Sequence, residues 1–341
     1  MKITDLKTKG EKIFSHPLFV TLVALLCCAL WGSATPAIKI GYQLMLPEKD
    51  VPSTILFAGI RFFFAGVLTI VIFSIARKKV LIPKKESYGK IGIVAVFQTV
   101  LQYIFFYVGL ANTSGVKGTI LTGSSTFFAI LISALAFRLE KMNVKKVTAC
   151  VLGLCGIVLI NLKGLSPSLN FLGDGFCILS AVSLAFSSTL IKIFSKKEDP
   201  VTISGYQFII GGAFMIFVGA AFGGKIVLSG IKSVALLAYL ALLSAVAYSL
   251  WGILLKHNPV SKVTVFSFTT PVFGVILTTL LLTENSNVGT PNLILSLLLV
   301  ALGIFILNAD IPALIEKFRK NEASDSNEEE KPKNSEIQEE Q

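Results

Sequence analysis

The sequence predicts an all-α integral membrane protein, with ten transmembrane helices arranged as two inverted five-helix repeats. Three observations predict it. Long apolar runs with almost no charge recur along the chain, lysines and arginines gather in alternate connectors, and the second half repeats the first in order. The bulk composition agrees: 53% of the 341 residues are hydrophobic and only 15% are charged, against roughly 25% charged in a soluble domain.

The runs are about 18–24 residues long, the length of a helix that crosses a hydrocarbon layer of about 30 Å. Backbone groups in lipid must bond internally, and the apolar residues do not alternate as in a membrane β-strand. Each run therefore reads as a helix. The first five extend from Leu18 to Ile40, Thr54 to Ala76, Ile91 to Leu110, Gly115 to Phe137 and Val144 to Leu162. The second five extend from Gly173 to Phe194, Ser204 to Phe222, Val234 to Lys256, Val263 to Leu282 and Pro291 to Ala309. The first run is longer than the apolar part of a signal peptide, and Trp31, Pro36 and Lys39 stand where a cleavage site would fall. It reads as a retained helix. The expected organisation is a cytoplasmic segment (1–17), a first repeat (18–163), a second repeat (173–309) and a cytoplasmic tail (316–341).

A net charge of +11 could suit nucleic acid, but its distribution marks membrane topology instead. With the N-terminus in the cytoplasm, connectors on that side collect 24 of the 31 Lys and Arg residues. The opposite side keeps six: Lys39, Lys49, Lys117, Lys163, Lys225 and Lys232. The one left over, Arg61, lies inside the second run. This is the positive-inside bias, and it places both termini in the cytoplasm. The tail is rich in Glu, Lys, Asn and Ser, with no aromatic residue after Phe318, so it is expected to be disordered. Cys27, Cys28, Cys150, Cys155 and Cys177 all fall in runs and read as small packing residues. No metal-ligand spacing is present, and no metal or cofactor is expected.

The halves match in order. ALWGSATPAIKI (29–40) sets against VSLAFSSTLIKI (182–193), and GVKGTILTGSSTFFAIL (115–131) aligns without gaps on PVSKVTVFSFTTPVFGV (259–275). RLEKMNV (138–144) then lies against LTENSNV (282–288), and GIVLIN (156–161) against GIFILN (303–308). A unit of five spans is odd, so the second copy enters the membrane from the opposite face. Carriers built this way hold their cargo near the midplane, between the repeats.

Trp31-Gly32, Arg61-Phe62, Thr270-Pro271 and the acidic residues Glu140 and Glu284 after the fourth and ninth helices give the chain a family likeness. It resembles EamA-type members of the drug/metabolite transporter superfamily over both halves, about residues 18–309. The resemblance implies ten helices, cytoplasmic termini, inverted repeats, and a cargo of amino acids, other metabolites or drugs, often exported. The fourth helix carries Phe127 where the ninth has Pro271, so a proline kink is expected on one side only.

Residues that contact a cargo should be polar or aromatic and face the bundle interior. Gln98 and Gln102 stand four apart on the third helix, with Tyr103 and Tyr107 beside them. Ser244, Tyr248 and Trp251 share a face of the eighth helix. Trp31, Ser33 and Thr35 lie on the first helix, Ser180, Ser183 and Ser187 on the sixth, Ser125 and Thr126 on the fourth, and Thr269 and Thr270 on the ninth. Small hydroxylated residues also serve close helix packing, and aromatics can anchor at the interface. The substrate-binding set is Trp31, Arg61, Gln98, Gln102, Tyr103, Tyr107, Ser125, Tyr248, Trp251 and Thr270. A charge inside a span is costly and commonly functional; Arg61 would either snorkel to the outer surface or bind a carboxylate or phosphate. No Asp or Glu stands mid-span, which disfavours a central proton carrier.

These features point to a secondary carrier of a small organic solute in a plasma membrane of bacterial type, monomeric or homodimeric, with the lipid bilayer as its other partner and no nucleic acid. A flippase-like carrier of a lipid or lipid-linked headgroup is the alternative within the same class. No catalytic residues are expected, because GxSxG, HExxH and an intramembrane His are lacking. A channel fits less well without a TVGYG filter or an acidic ring.

Overall fold

The computed structural model of the protein describes residues 13–48, 50–113, 118, 121–160, 170–282 and 290–308. The expectations for the tail, for Glu284 and for Lys49, Lys117 and Lys163 lie outside the described residues. Among those described the chain is helical, without a strand. The helices are α1 (Pro17–Met45), α2 (Val51–Ala76), α3 (Lys85–Ala111), α4 (Leu121–Ala136) and α5 (Val144–Ile160). They continue as α6 (Phe171–Phe194), α7 (Pro200–Ala221), α8 (Ile231–His257), α9 (260–282) and α10 (Thr290–Asn308). Of these, α1, α2, α3, α6, α7 and α8 are long and apolar enough to cross a bilayer, and α4 and the 294–308 stretch of α10 are shorter apolar helices.

The helix ends follow from local chemistry. Asp50 accepts a hydrogen bond from the Ser53 backbone at 2.8 Å and starts α2, with Pro52 in its first turn. Asp199 does the same for α7 through the Thr202 backbone at 3.0 Å, with Pro200 first in the helix. Both are N-caps that satisfy otherwise unpaired N–H groups, and both prolines stand where no N–H is needed. Helix α1 runs five residues past Ile40, to Met45, because the polar residues around Tyr42 keep their helical backbone bonds beyond the apolar run.

The bundle exposes large apolar side chains on its outside while burying several polar ones in a mainly apolar core. Leu18, Leu22 and Leu26 on α1, Phe214 and Phe217 on α7, and Leu298, Leu302 and Phe305 on α10 are exposed. Gln98, Gln207, Ser244 and Ser296 are buried. An apolar outer surface with polar groups bonded inside is what a lipid solvent selects.

The closest packing joins α2 and α7, where glycines let the backbones meet. A β-carbon on Gly59 would lie 2.6 Å from the Ile216 nitrogen, and one on Gly66 would lie 2.5 Å from the Gly205 carbonyl oxygen. Helix α1 packs on α8 and α9, and α6 packs on α3 and α4. Helix α5 meets α10, where Ser296 Oγ donates to the Gly156 carbonyl at 2.8 Å.

The one-sided kink is not what the helices display. Helix α9 tightens to a 3₁₀ turn over Val265–Phe268 just before Pro271, as expected beside a missing N–H donor. Helix α4 is irregular too, with a turn at Ser124 and a π-helical stretch over Ile132–Ala136. There the Ser124 hydroxyl bonds the Leu121 carbonyl, a side-chain competitor for the helical ladder that works without proline.

Candidate functional site

Arg61 sits about 15 Å along α2 from its start, too deep to reach past the helix end. It is 2% exposed, which corrects the snorkelling expectation. Helix α8 crosses in front of it and supplies Ser244, whose Oγ accepts from Arg61 Nε at 3.1 Å and Nη2 at 2.9 Å. Ser244 in turn donates to the Leu240 carbonyl at 2.9 Å. The guanidinium carbon lies 5.0 Å from the Phe62 ring centre. Among the described residues no carboxylate lies within ion-pair distance of it.

Four tyrosines, Tyr42, Tyr103, Tyr107 and Tyr248, pack in the same cluster as Phe62, whose ring lies against that charge. The Tyr103 and Tyr248 hydroxyls share a hydrogen bond of 2.9 Å, and Tyr42 meets Tyr107. Gln102 is buried, and its Oε1 has no partner. Trp31 stands edge-on to Tyr248 at 5.1 Å and to Trp251 at 4.9 Å between ring centres, and its Nε1 is buried and unbonded. Beyond Trp31 and Trp251 lies a cavity of about 30 Å³, also lined by Ser125, Thr126, Ser188 and Thr264. That is room for about one water molecule.

Eight of the ten residues singled out in the sequence thus join one continuous cluster. Gln98 and Thr270 stand apart from these contacts, each with a buried oxygen that has no partner. A π-helical stretch over Val96–Leu101 separates Gln98 from Gln102, and its wider turn changes their relative direction from that of a straight α-helix. One member of the cluster, Tyr42, was missed, as was a buried amide outside it, Gln207. Tyr42 follows Trp31 by eleven residues, about three turns, so the spacing already placed both on one face; ending the run at Ile40 hid it. Gln207 on α7 is fully buried and accepts from Thr99 Oγ1 at 2.6 Å, while its Nε2 is left unbonded. Of the cysteines, Cys155 is exposed rather than packed, unlike the other four.

Polar latches close the connectors. Glu140, between α4 and α5, accepts from Lys146 Nζ at 2.8 Å and from the Ser261 backbone at 3.1 Å, and it also bonds the Ser261 hydroxyl. Burial works to raise its pKa, but the bonds from Lys146 and Ser261 outweigh that and hold the carboxyl below its usual range. Arg77 pairs with Asp199 at 3.0 Å. Lys192 Nζ donates to the Lys256 and Asn258 carbonyls at 3.0 and 2.7 Å, a cation at a helix C-terminus. Where α3 and α6 approach, Thr113 donates to Asp174 at 2.6 Å and Asn170 to the Asn112 carbonyl at 2.9 Å.

An apolar-faced helical bundle around a buried, polar and aromatic cluster defines a multi-pass membrane protein. Two stretches, residues 18–162 and 171–309, each match the EamA-like transporter family. The chain belongs to that family, and it is a membrane transporter rather than an enzyme. An uncharacterized transporter of Archaeoglobus fulgidus is 24% identical over 84% of this chain and 97% of that protein. The transporter YoaV of Bacillus subtilis is 27% identical over 81% of this chain and 92% of its own length. A crystal structure shares the fold, with a TM-score of 0.69 over 84% of this chain and 95% of that one, at 17% identity.

Proposed function

We propose that the chain is a secondary carrier that moves a small organic solute across a plasma membrane, in the export direction, by alternating access between two inverted five-helix repeats. Both termini lie in the cytoplasm in this reading. The observation that carries it is the Arg61 cluster: residues from both family-matched stretches, Arg61, Tyr103 and Trp31 from one and Ser244, Tyr248 and Trp251 from the other, meet in a single buried cluster. Sites at the interface of two halves belong to the carrier mode.

The inverted repeat draws support from contacts that map onto themselves when the halves are exchanged. If Gly59 corresponds to Gly205 and Gly66 to Gly212, the approach of Gly59 to Gly212 is the exchanged image of the approach of Gly66 to Gly205. Phe62 and Phe208, equivalent in the same register, stack on each other at 5.1 Å. Gly156 lies over the Ser296 carbonyl as Gly303 lies over that of Ala149. A two-fold axis passing between α2 and α7 accounts for all three.

The test is reconstitution into liposomes and counterflow against a metabolite panel. Saturable, trans-stimulated uptake of at least one solute is expected. Single-channel conductance without saturation, or no counterflow with any panel member, would sink the carrier reading. Lipid scrambling without solute flux would favour the flippase alternative.

A further inference from the structure

The geometry points to a cargo class: a small organic monoanion whose carboxylate seats on Arg61, with cations rejected. This rests on the carrier reading and narrows it.

A guanidinium has five N–H donors and does not deprotonate in proteins. Two of those donors go to Ser244 Oγ; the others meet no acceptor among the described residues. The charge is buried and lacks a carboxylate among them, which is costly for any closed state. The groups around it are neutral and can donate: the hydroxyls of Tyr42, Tyr103, Tyr107 and Tyr248, packed in the same cluster as Phe62, and the unbonded Trp31 Nε1 next to Tyr248. Together they form a donor-rich shell with a net charge of one.

A monocarboxylate cancels that charge and accepts from the guanidinium donors that Ser244 leaves over, and a flat carboxylate suits the guanidinium fork. A dianion would leave one buried charge over. A cation would place a second positive charge beside Arg61 with no carboxylate among the described residues to hold it. The second half does not duplicate the charge, because Gln207 stands on α7 where Arg61 stands on α2, on the register that pairs Phe208 with Phe62. One anion-binding centre per chain follows.

The protein contains two tryptophans, Trp31 and Trp251, and both stand in this cluster, so intrinsic fluorescence reads the site directly. The full chain in detergent is titrated with straight-chain carboxylates of three to eight carbons, the matched amides and alkylammonium ions, and succinate. At least one monocarboxylate should change the emission saturably, with its amide and succinate about 10-fold weaker or more and its ammonium analogue without effect. Arg61→Gln should raise the carboxylate Kd by about 10-fold or more, and Arg61→Lys by less. Gel-filtration elution checks that each variant folds, and the ligand series on the unaltered chain decides the matter if Arg61→Gln does not. Equal binding of an amide or ammonium ion, carboxylate binding untouched in a folded Arg61→Gln, or no response to any carboxylate overturns the assignment. Counterflow of a cation or neutral solute would leave the carrier standing and remove the anion site. Carboxylate binding on Arg61 without any counterflow would do the reverse.

Discussion

Arg61 shows how a single residue can change meaning once its neighbours are known. A charge in an apolar run has two solutions, escape to the interface or partnership inside, and Ser244 from a helix far along the chain decides for the second. Transport should be lost in Arg61→Gln while the protein still reaches the membrane; wild-type uptake by that variant would refute its role. Tyr103→Phe removes one hydroxyl from the pair with Tyr248, a loss of about 1 kcal/mol. It should weaken cargo affinity several-fold while leaving expression unchanged, as read by counterflow. Glu140 supplies a pH signature. Its carboxyl is held below the usual glutamate range, so its stabilising effect is complete above that range and fades as pH falls through the depressed value. Thermal unfolding of the wild type and Glu140→Gln should therefore differ at neutral pH and converge in acid; a gap that persists in acid would count against the latch.

At the level of elements, the fold depends on helices that approach without side chains between them. The crossing of α2 and α7 is the clearest case, since a β-carbon at Gly59 would press on backbone rather than on a flexible side-chain end. Gly59→Val should destabilise the protein by at least about 1–3 kcal/mol through overpacking, seen as a lower melting temperature in detergent or loss of recoverable protein. The same substitution at Gly89, where a β-carbon would meet nothing within 4 Å, should be nearly silent. The irregular turns matter as well. The 3₁₀ segment of α9 and the π segments of α3 and α4 lie in helices that contribute to the site or its cavity, and such segments redirect side chains that a straight helix would aim elsewhere.

For the molecule as a whole, the distribution of lysine and arginine predicts that both termini face the cytoplasm. Tags at either end should resist protease added to intact cells and be cut once the membrane is opened. Cleavage at only one terminus would require an odd number of spans and break the inverted repeat. In the proposed carrier the two-fold relation would also bear on mechanism, because exchanging the roles of two nearly equivalent halves would convert one access state into the other. The halves are not identical in charge, with Arg61 in one and Gln207 in the other, so a carrier of the proposed kind would hold its cargo asymmetrically.

The sequence by itself determined the all-helical membrane class, the family and the sidedness expected from the charges. Each of these rests on local properties: run length, hydropathy and the positions of Lys and Arg. It also nominated most of the cluster, because polar and aromatic residues in apolar runs are rare enough to be conspicuous. Only the tertiary structure decided which of them meet. The pairing of Arg61 with Ser244, the edge contacts of Trp31 with Tyr248 and Trp251, and the entry of Tyr42 depend on how α1, α2, α3 and α8 cross. Those crossings are set by glycine contacts and local changes of helix pitch between segments distant in the chain, which no single run reveals. For the same reason Gln98 and Thr270, equally polar and equally buried in apolar sequence, fall outside the cluster.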